Sequence, residues 1–138
     1  MATSFDGGET WTPYAGAPSP SENIYGGKIA MSANGDTLLW SQATGFSGVR
    51  VSKNGAAFMA STGLPSGSTI TIASDKLNNT VFYAASGASF FVSNDGGVSF
   101  RRVNVLGSAT STPQIAASPF TAGEVFVATD HEIGRAHV

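Results

Sequence analysis

The chain has 138 residues, a net charge of −2 and charged residues at only 12% of its positions, so we expect one domain without a basic surface for nucleic acid or anionic membranes. Hydrophobic residues make up 41% of the chain, enough for a buried core, but no apolar run approaches the roughly 20 residues that cross a bilayer. Cysteine is absent, which excludes disulfides, thiol catalysis and cysteine-ligated zinc, and the first residues predict no signal peptide.

Abundant glycine and short β-branched segments predict an all-β chain, and its first element is a motif that recurs. Residues 4–11 and 93–100 fit the pattern Ser-x-Asp-x-Gly-x-Ser/Thr-aromatic, and residues 52–58 form a shorter copy with Asn for Asp. The copies start at 4, 52 and 93, a spacing typical of four-stranded β-propeller blades. We call the complete copies the first box, defined by Ser4, Asp6, Gly8 and Trp11, and the second box, defined by Ser93, Asp95, Gly97 and Phe100.

The segments between these motifs predict antiparallel hairpins with polar turns. Apolar residues 28–32 and 37–41 flank the turn Ala33-Asn34-Gly35-Asp36, and residues 69–74 and 80–85 flank a similar one. Each hairpin is followed by a strand that enters a box or its weak copy and a strand that leaves it. We therefore predict half a blade at 1–14, whole blades at 27–60 and 69–103, and half a blade at 113–129.

The boxes have a structural and a catalytic interpretation. In the structural one, the Asp accepts hydrogen bonds within its own turn, the glycines supply positive φ angles and the aromatic ring packs between sheets. In the catalytic one, Asp6 and Asp95 are catalytic carboxylates. Two acids at equivalent places in different blades are held apart by the ring and cannot act as a pair, so we predict the structural role.

One side of the predicted propeller is the candidate binding side. The loops between the second and third strands of a blade, and between blades, lie there, at 15–26, 42–47, 61–68, 86–88 and 104–112. Aromatic rings offer apolar contact surface and amides hydrogen-bond hydroxyl groups, so the candidate binding residues are Tyr25, Trp40, Gln42 and Phe46. The alternative for Trp40 and Phe46 is packing between blades, which we favour for Trp40, whereas Tyr25 stays open between the two roles.

Three stretches, residues 26–41, 72–84 and 91–100, carry a more specific resemblance. They include Leu38-Leu39-Trp40 and Ser74-Asp75-Lys76, and the boxes themselves resemble the Asp-box (BNR) repeats of sialidase-like propellers. From about residue 4 to 130 the chain resembles the second, C-terminal propeller of xyloglucanases of glycoside hydrolase family 74. The resemblance implies a secreted parent with two seven-bladed propellers that cleaves the β-1,4-glucan backbone of xyloglucan with inversion, using one Asp from each propeller.

The resemblance places neither catalytic Asp of that family on a residue of this chain. The resemblance therefore implies a carbohydrate-associated propeller segment without catalysis of its own. It implies binding of a plant cell-wall polysaccharide, xyloglucan or another β-glucan, with the four candidate residues as the carbohydrate-binding ones. Two alternatives stay open. One is an active hydrolase whose cleft is rebuilt by assembly, with Asp130 or Glu22 as the acid, and the other is an interaction propeller without a sugar site.

The last residues depart from the family pattern. Residues 131–138 fit no blade in this interpretation and are typical of a truncation or a cloning remnant. Their two histidines lack a carboxylate at ligand spacing, so we expect neither a metal nor another cofactor. The open strand edges predict a homo-oligomer in which residues 113–129 of one copy pair with residues 1–14 of the next.

Overall fold

The computed structural model describes residues 1–17, 26–43, 48–66, 69–107, 109–130 and 133–137. Within these ranges the chain forms β-strands and no helix. The strands are β1 (Ala2–Thr3), β2 (Thr12–Pro13), β3 (Gly27–Met31), β4 (Thr37–Gln42), β5 (Val49–Lys53), β6 (Met59–Ala60), β7 (Thr71–Ser74), β8 (Phe82–Ser86), β9 (Ser89–Ser93), β10 (Arg101–Val105), β11 (Gln114–Ala117), β12 (Glu124–Ala128) and β13 (Ile133–His137).

The strands pair with their neighbours in sequence to give four antiparallel sheets. Strands β3 to β6 form one four-stranded sheet and β7 to β10 form another, which we call the first and second full blades. Strands β1 and β2 form a two-stranded sheet, and β11 to β13 a three-stranded one. Four-stranded antiparallel meanders packed face to face are the units of β-propellers, so the predicted all-β propeller class is confirmed.

The prediction that residues 131–138 fit no blade is wrong for Ile133–His137. This segment pairs with β12 in a continuous register from Glu124↔His137 to Ala128↔Ile133, and it adds a third strand to the predicted half-blade. Main-chain pairing with an open strand edge needs only free N–H and C=O groups, so it does not require an alternating side-chain pattern.

Two hydrophobic clusters join the sheets, because alternate side chains of each strand point toward the sheets on its two faces. The cluster between the full blades contains Leu39 and Phe82, both fully buried. The next cluster contains Tyr83 and Phe90 of the second full blade, with Val125 of β12. Full burial of a large apolar side chain contributes roughly 1.5–3 kcal/mol, so these interfaces hold the sheets together.

Polar contacts fix neighbouring blades at two other places. Lys28 of β3 donates from Nζ to the Thr71 hydroxyl of β7 at 3.0 Å, across the inner strands. In the hairpin turns, the Asn34 main-chain N–H donates to Oδ1 of Asn79 at 2.9 Å. The positions of adjacent sheets are therefore set by both packing and directional bonds.

The β1–β2 sheet is attached to the first full blade through the segment that follows it. The Tyr14 hydroxyl hydrogen-bonds Oγ of Ser52 at 2.9 Å, and its ring lies 6.0 Å from that of Phe58. At Gly16 a Cβ atom would lie 2.1 Å from the carbonyl oxygen of Ala56, so only glycine permits this close backbone approach.

Candidate functional site

A cavity of about 690 Å³ lies on the predicted binding side, where the loop after β6, the β8–β9 turn and the segment before β11 meet. Phe91 of β9 and Arg102 of β10 contribute to its wall. Six hydroxyl side chains line it as well, namely Thr69, Ser86, Ser89, Thr110, Ser111 and Thr112. The lining therefore combines a cation, hydroxyl donors and acceptors, and some apolar surface.

The loop after β6 is held in place by main-chain bonds to the second full blade. The Thr62 N–H donates to the Val98 carbonyl at 3.0 Å, and the Phe100 N–H donates to the Thr62 carbonyl at 2.9 Å. The next residue, Gly63, has a φ of 80°, and a Cβ there would lie 1.9 Å from the Phe100 carbonyl oxygen. Glycine is therefore required where this loop approaches the blade.

Two local features shape the opposite wall. Strands β8 and β9 pair up to Ser86↔Ser89, which leaves a tight two-residue turn that begins at Gly87, with a φ of 50°. Strand β10 has a register irregularity between Arg102 and Asn104, and such bulges redirect the side chains beside them.

Phe91 and Arg102 are direct cross-strand partners, so their side chains lie on the same face of the second full blade. Phe91 is 7% exposed and forms part of the first hydrophobic cluster, whereas Arg102 is exposed. A guanidinium group offers five N–H donors that suit hydroxyl and ether oxygens, and the phenyl edge offers apolar contact. This combination suits a neutral, hydroxyl-rich ligand.

Asp130 binds the rim of this cavity. Its carboxylate accepts from the Thr110 main-chain N–H, at 3.2 Å to Oδ1, and from the Thr110 hydroxyl. Since its oxygens hold a loop residue in place, Asp130 serves here as a positioning group. Glu22, the other acid considered for a rebuilt cleft, lies outside the described residues.

The two boxes have the same hydrogen-bond pattern around their aspartates. In the first box the Ser4 hydroxyl donates to Asp6 at 2.7 Å, and the main-chain N–H of Thr10 donates to the same oxygen at 2.9 Å. The Gly8 N–H donates back to Oγ of Ser4 at 2.7 Å, and the indole N–H of Trp11 to the Gly8 carbonyl.

In the second box the Ser93 hydroxyl donates to Asp95 at 2.7 Å and the Ser99 N–H at 3.0 Å, while the Gly97 N–H donates to Oγ of Ser93 at 2.9 Å. The ring of Phe100 is buried in the first hydrophobic cluster. The weak copy at 52–58 lacks the carboxylate, and there Ser52 donates to the Ala56 carbonyl instead.

These bonds keep both box carboxylates ionised. Hydrogen bonds from the side chain and backbone of Thr10 lower the pKa of Asp6 far below its usual value. Partial burial raises the pKa of Asp95, but bonds from Ser99, Ser93 and Val98 outweigh it and bring that pKa to about 2. A glycosidase acid requires the opposite shift, because it must hold a proton near neutral pH.

Trp40, a predicted sugar-binding residue, is 2% exposed. Its indole N–H donates to the Gly26 carbonyl at 3.0 Å, and its ring meets that of Phe58 edge-on at 5.9 Å. Both contacts are made within or next to the first full blade, and they leave little ring surface on which a sugar could stack.

The remaining candidates fall in two places. Gln42 is buried at the end of β4, beside Gly27 of β3, and is not among the described residues that line the cavity. Tyr25 and Phe46 lie outside the described residues. The wall residues Phe91, Arg102 and Thr110 were not predicted, although Thr110 falls in the predicted loop 104–112. For Phe91 and Arg102, the sequence offered one indication, namely that strands β9 and β10 are adjacent to that loop.

Within the described ranges, no three His, Cys, Asp or Glu side chains come together in a way that could hold a metal ion. In the same part of the chain, no helix has the length and apolar character to cross a membrane.

Known proteins with a similar sequence are xyloglucanases. No family model matches the chain. A xyloglucanase of Hypocrea jecorina (strain QM6a) is 48% identical over 136 residues, which is 98% of this chain and 15% of that protein. A xyloglucanase of a Paenibacillus species is 34% identical over 136 residues, 97% of this chain and 13% of the relative. The chain thus spans only a small share of the curated relatives it matches.

Solved structures agree with the sequence matches. The GH74 enzyme from Niastella koreensis superimposes with a TM-score of 0.80 at 31% identity, over 99% of this chain and 20% of that one. The GH74 xyloglucanase from Xanthomonas campestris gives a TM-score of 0.79 at 26% identity, over 97% and 19%. Fold and sequence therefore point to the same group of proteins.

Proposed function

The chain belongs to glycoside hydrolase family 74, where it corresponds to a segment of the xyloglucanases, and from this we propose that it binds a β-1,4-glucan of the xyloglucan type without cleaving it. The binding place is the cavity walled by Phe91 and Arg102, with Thr110 at its rim. The observation that carries the proposal is this cavity, with its hydroxyl-rich lining, on the loop side of a propeller segment.

The chemistry of the lining supports a neutral saccharide. Hydroxyl side chains both donate and accept, so they match sugar hydroxyls in either direction, and Arg102 adds strong donors. Phe91, which is 7% exposed, offers a small apolar surface to the C–H face of a sugar ring. An inositol phosphate or a nucleotide would need several cations, whereas Arg102 is the one cation among the described residues that line this cavity.

The lack of catalysis is supported by the state of the carboxylates. Inverting glycosidases need a protonated acid and an ionised base roughly 6.5–9.5 Å apart. Asp6 and Asp95 have lowered pKa values and are fully engaged in their own turns, and Asp130 binds Thr110. We propose that both boxes are structural, fastening the hairpins that join outer strands.

We further propose the cellular setting and the partners that follow from the family. The intact protein acts outside the cell on plant cell-wall polysaccharide, and this segment has neither nucleic acid nor a membrane as a partner. Copies of the chain associate into a homo-oligomer.

Isothermal titration with oligosaccharides from tamarind-type xyloglucan tests the binding proposal, with α-1,4-linked glucan oligosaccharides as the comparison ligand. We expect binding of the first and a dissociation constant of about 1 mM or below, equivalent to about −4 kcal/mol. Arg102→Ala is expected to weaken binding about tenfold. The matched control is Arg101→Ala, since Arg101 precedes it on β10 and is not a described lining residue.

Each outcome has a distinct meaning. No heat with any glucan would overturn the binding proposal and favour an interaction module. Equal loss in both arginine variants would remove the cavity as the binding place. Release of reducing sugars from xyloglucan, absent in Asp130→Asn, would replace the proposal with an assembled hydrolase.

A further inference from the structure

We propose that Asn78 is an acceptor site for an N-linked oligosaccharide, attached when the chain passes through a eukaryotic secretory pathway. Asn78-Asn79-Thr80 fits the sequon Asn-x-Ser/Thr, in which x is any residue except proline, and no second sequon occurs in the 138 residues. Such a modification requires the extracellular setting proposed above, but it does not require saccharide binding in the cavity.

The sequon lies in the turn between β7 and β8, where residues 76–80 are all exposed. The turns of both adjacent sheets are in place beside it. Asn79 accepts at Oδ1 from the Asn34 main-chain N–H at 2.9 Å, on the side of the first full blade. On the other side, Asp75 accepts from the Gly123 N–H at 2.8 Å. The sequon is therefore exposed with a neighbouring sheet packed on either side, as a bulky, hydrated glycan requires.

The fold uses the oxygen of the Asn78 carboxamide and leaves its nitrogen available. Oδ1 accepts from the main-chain N–H of Thr80 at 3.1 Å and from the Thr80 hydroxyl at 3.0 Å, which closes a local turn. Nδ2 of Asn78 donates no hydrogen bond to any residue that the structure describes. In the equivalent turn of the first full blade, by contrast, Nδ2 of Asn34 donates to Asp36 at 2.7 Å.

Glycosyl transfer acts on the nitrogen that the turn does not use. Nδ2 of Asn78 forms a bond to C1 of the first sugar of a lipid-linked oligosaccharide diphosphate. The bond from C1 to the diphosphate oxygen breaks, the lipid diphosphate leaves with the electron pair, and the amide loses one proton. The product keeps an amide oxygen that accepts hydrogen bonds, so both bonds from Thr80 are retained. Attachment before folding is therefore compatible with this turn.

A glycan on Asn78 would project away from the saccharide cavity. Strand β8 runs from Phe82, next to the turn, to Ser86, which lines the cavity. A strand of this length separates its two ends by about 13 Å. We therefore expect the glycosylated chain to bind saccharides as the unmodified chain does.

Secretion of the full chain from a yeast tests the proposal, with an added leader peptide and a tag that carries its own sequon. Glycosylation of the tag shows that the chain has reached the glycosylating compartment. We expect a second glycan on most of the secreted chain. An amide-cleaving glycosidase removes this glycan and converts Asn78 to Asp, and peptide mass spectrometry then locates the converted residue.

Four substitutions separate the sequon from the turn that contains it. Asn78→Asp keeps an acceptor oxygen for Thr80 but has no amide nitrogen, so it is expected to lose the chain glycan and keep that of the tag. Thr80→Ala removes the hydroxyl of the sequon and is expected to do the same, whereas Thr80→Ser is expected to retain the glycan. The matched control is Asn79→Gln, which alters the contact with Asn34 and leaves the sequon intact.

Urea unfolding tests whether the folded turn accommodates the glycan. Enzymatic removal yields the same polypeptide as Asn78→Asp, so the glycosylated chain, the deglycosylated chain and this variant form a matched set. We expect the glycosylated chain to unfold at no lower urea concentration than the other two, because the glycan replaces no hydrogen bond of the turn.

Three results would overturn the inference. A secreted chain that carries the tag glycan alone removes the site. A chain glycan that persists in Asn78→Asp places the modification on another residue. A glycosylated chain that is clearly less stable than its deglycosylated form contradicts an available nitrogen in the folded turn. Xyloglucan titration of both forms reports on the saccharide proposal separately, since its failure leaves the glycan on Asn78 unaffected.

Discussion

The hydroxyl of Tyr83 donates to Oδ2 of Asp75 at 2.7 Å, and both side chains are buried. The same carboxylate accepts from the main-chain N–H of Leu77 at 2.8 Å within its own turn, and from that of Gly123 at 2.8 Å in the next sheet. One ionised group therefore connects a turn, a central strand and the neighbouring blade.

Replacing Asp75 with Asn is expected to destabilise the fold by about 2 kcal/mol, because an amide cannot accept from every donor and leaves a buried N–H unpaired. The control is Asp36→Asn, the same change in the exposed turn of the other hairpin, expected to cost less than about 0.5 kcal/mol. Urea unfolding followed by tryptophan fluorescence measures both. Equal unfolding midpoints would contradict a buried carboxylate link.

The buried hydroxyl of Tyr83 leads us to expect a loss of folding stability at alkaline pH. Burial, and then the hydrogen bond to Asp75, raise the pKa of Tyr83 above its usual value of 10.0. The folded state holds the Tyr83 hydroxyl proton more tightly than the unfolded state does. The contribution of this hydroxyl to folding stability is therefore complete below about pH 10 and is lost as the pH rises further.

Tyr83→Phe is therefore expected to be less stable by about 1 kcal/mol at neutral pH, with the difference shrinking above about pH 10. Unfolding midpoints of both proteins across this range give the answer. A stability difference between the two proteins that stays constant above that pH would contradict the role given to the Tyr83 hydroxyl.

The second box predicts an acid-dependent effect. The pKa of Asp95 is about 2 in the fold against 3.8 ordinarily, so its stabilisation is complete above about pH 4 and lost as the pH falls toward 2. Ser99→Ala removes the main side-chain donor and is expected to raise that pKa toward 3.8. Carboxyl NMR titration measures the shift, with Ser66→Ala in an exposed loop as control. An unmoved Asp95 signal would show that Ser99 is not its stabiliser.

Gly63 and Gly35 form a matched pair, since both have a φ of 80°. Gly35→Ala meets no atom within 4 Å and is expected to cost about 1 kcal/mol for its backbone conformation alone. Gly63→Ala adds the collision with the Phe100 carbonyl and is expected to cost at least about 3 kcal/mol. Thermal unfolding compares the two, and equal costs would mean that the loop after β6 moves aside freely.

Trp40 is tested through its fluorescence. In Trp11→Phe it is the remaining tryptophan, so the emission is expected to be blue-shifted and to resist quenching by iodide. Xyloglucan oligosaccharides are expected to leave this emission unchanged. Strong quenching, or a shift with the sugar, would return Trp40 to the candidate binding residues.

Local features of the fold could be predicted from the sequence. The box turns depend on bonds that span four residues or fewer, as between Asp95 and Ser99, so residue types at fixed spacing are sufficient to predict them. The hairpin at Asn34-Gly35 follows from the same kind of local signal.

Contacts between sheets could not be predicted in this way. The bond from Gly123 to Asp75 joins residues 48 positions apart, and no local pattern marks it. Phe90 and Phe91 are adjacent and both buried, one against Tyr83 and the other toward the first full blade. Which of them borders the cavity depends on how the sheets are placed. Strand β13 joins β12 through main-chain pairing, so the residue types of β13 did not predict this strand either.

The main-chain tie between Thr62 and Phe100 has a mechanical consequence. It joins the two full blades at their outer strands, while the bond between Lys28 and Thr71 joins them at their inner strands. The two blades therefore cannot rotate apart about either edge. We expect unfolding to proceed sheet by sheet from the two terminal sheets. The amides of β8, a central strand of a sheet with neighbours on both faces, are expected to exchange with solvent last.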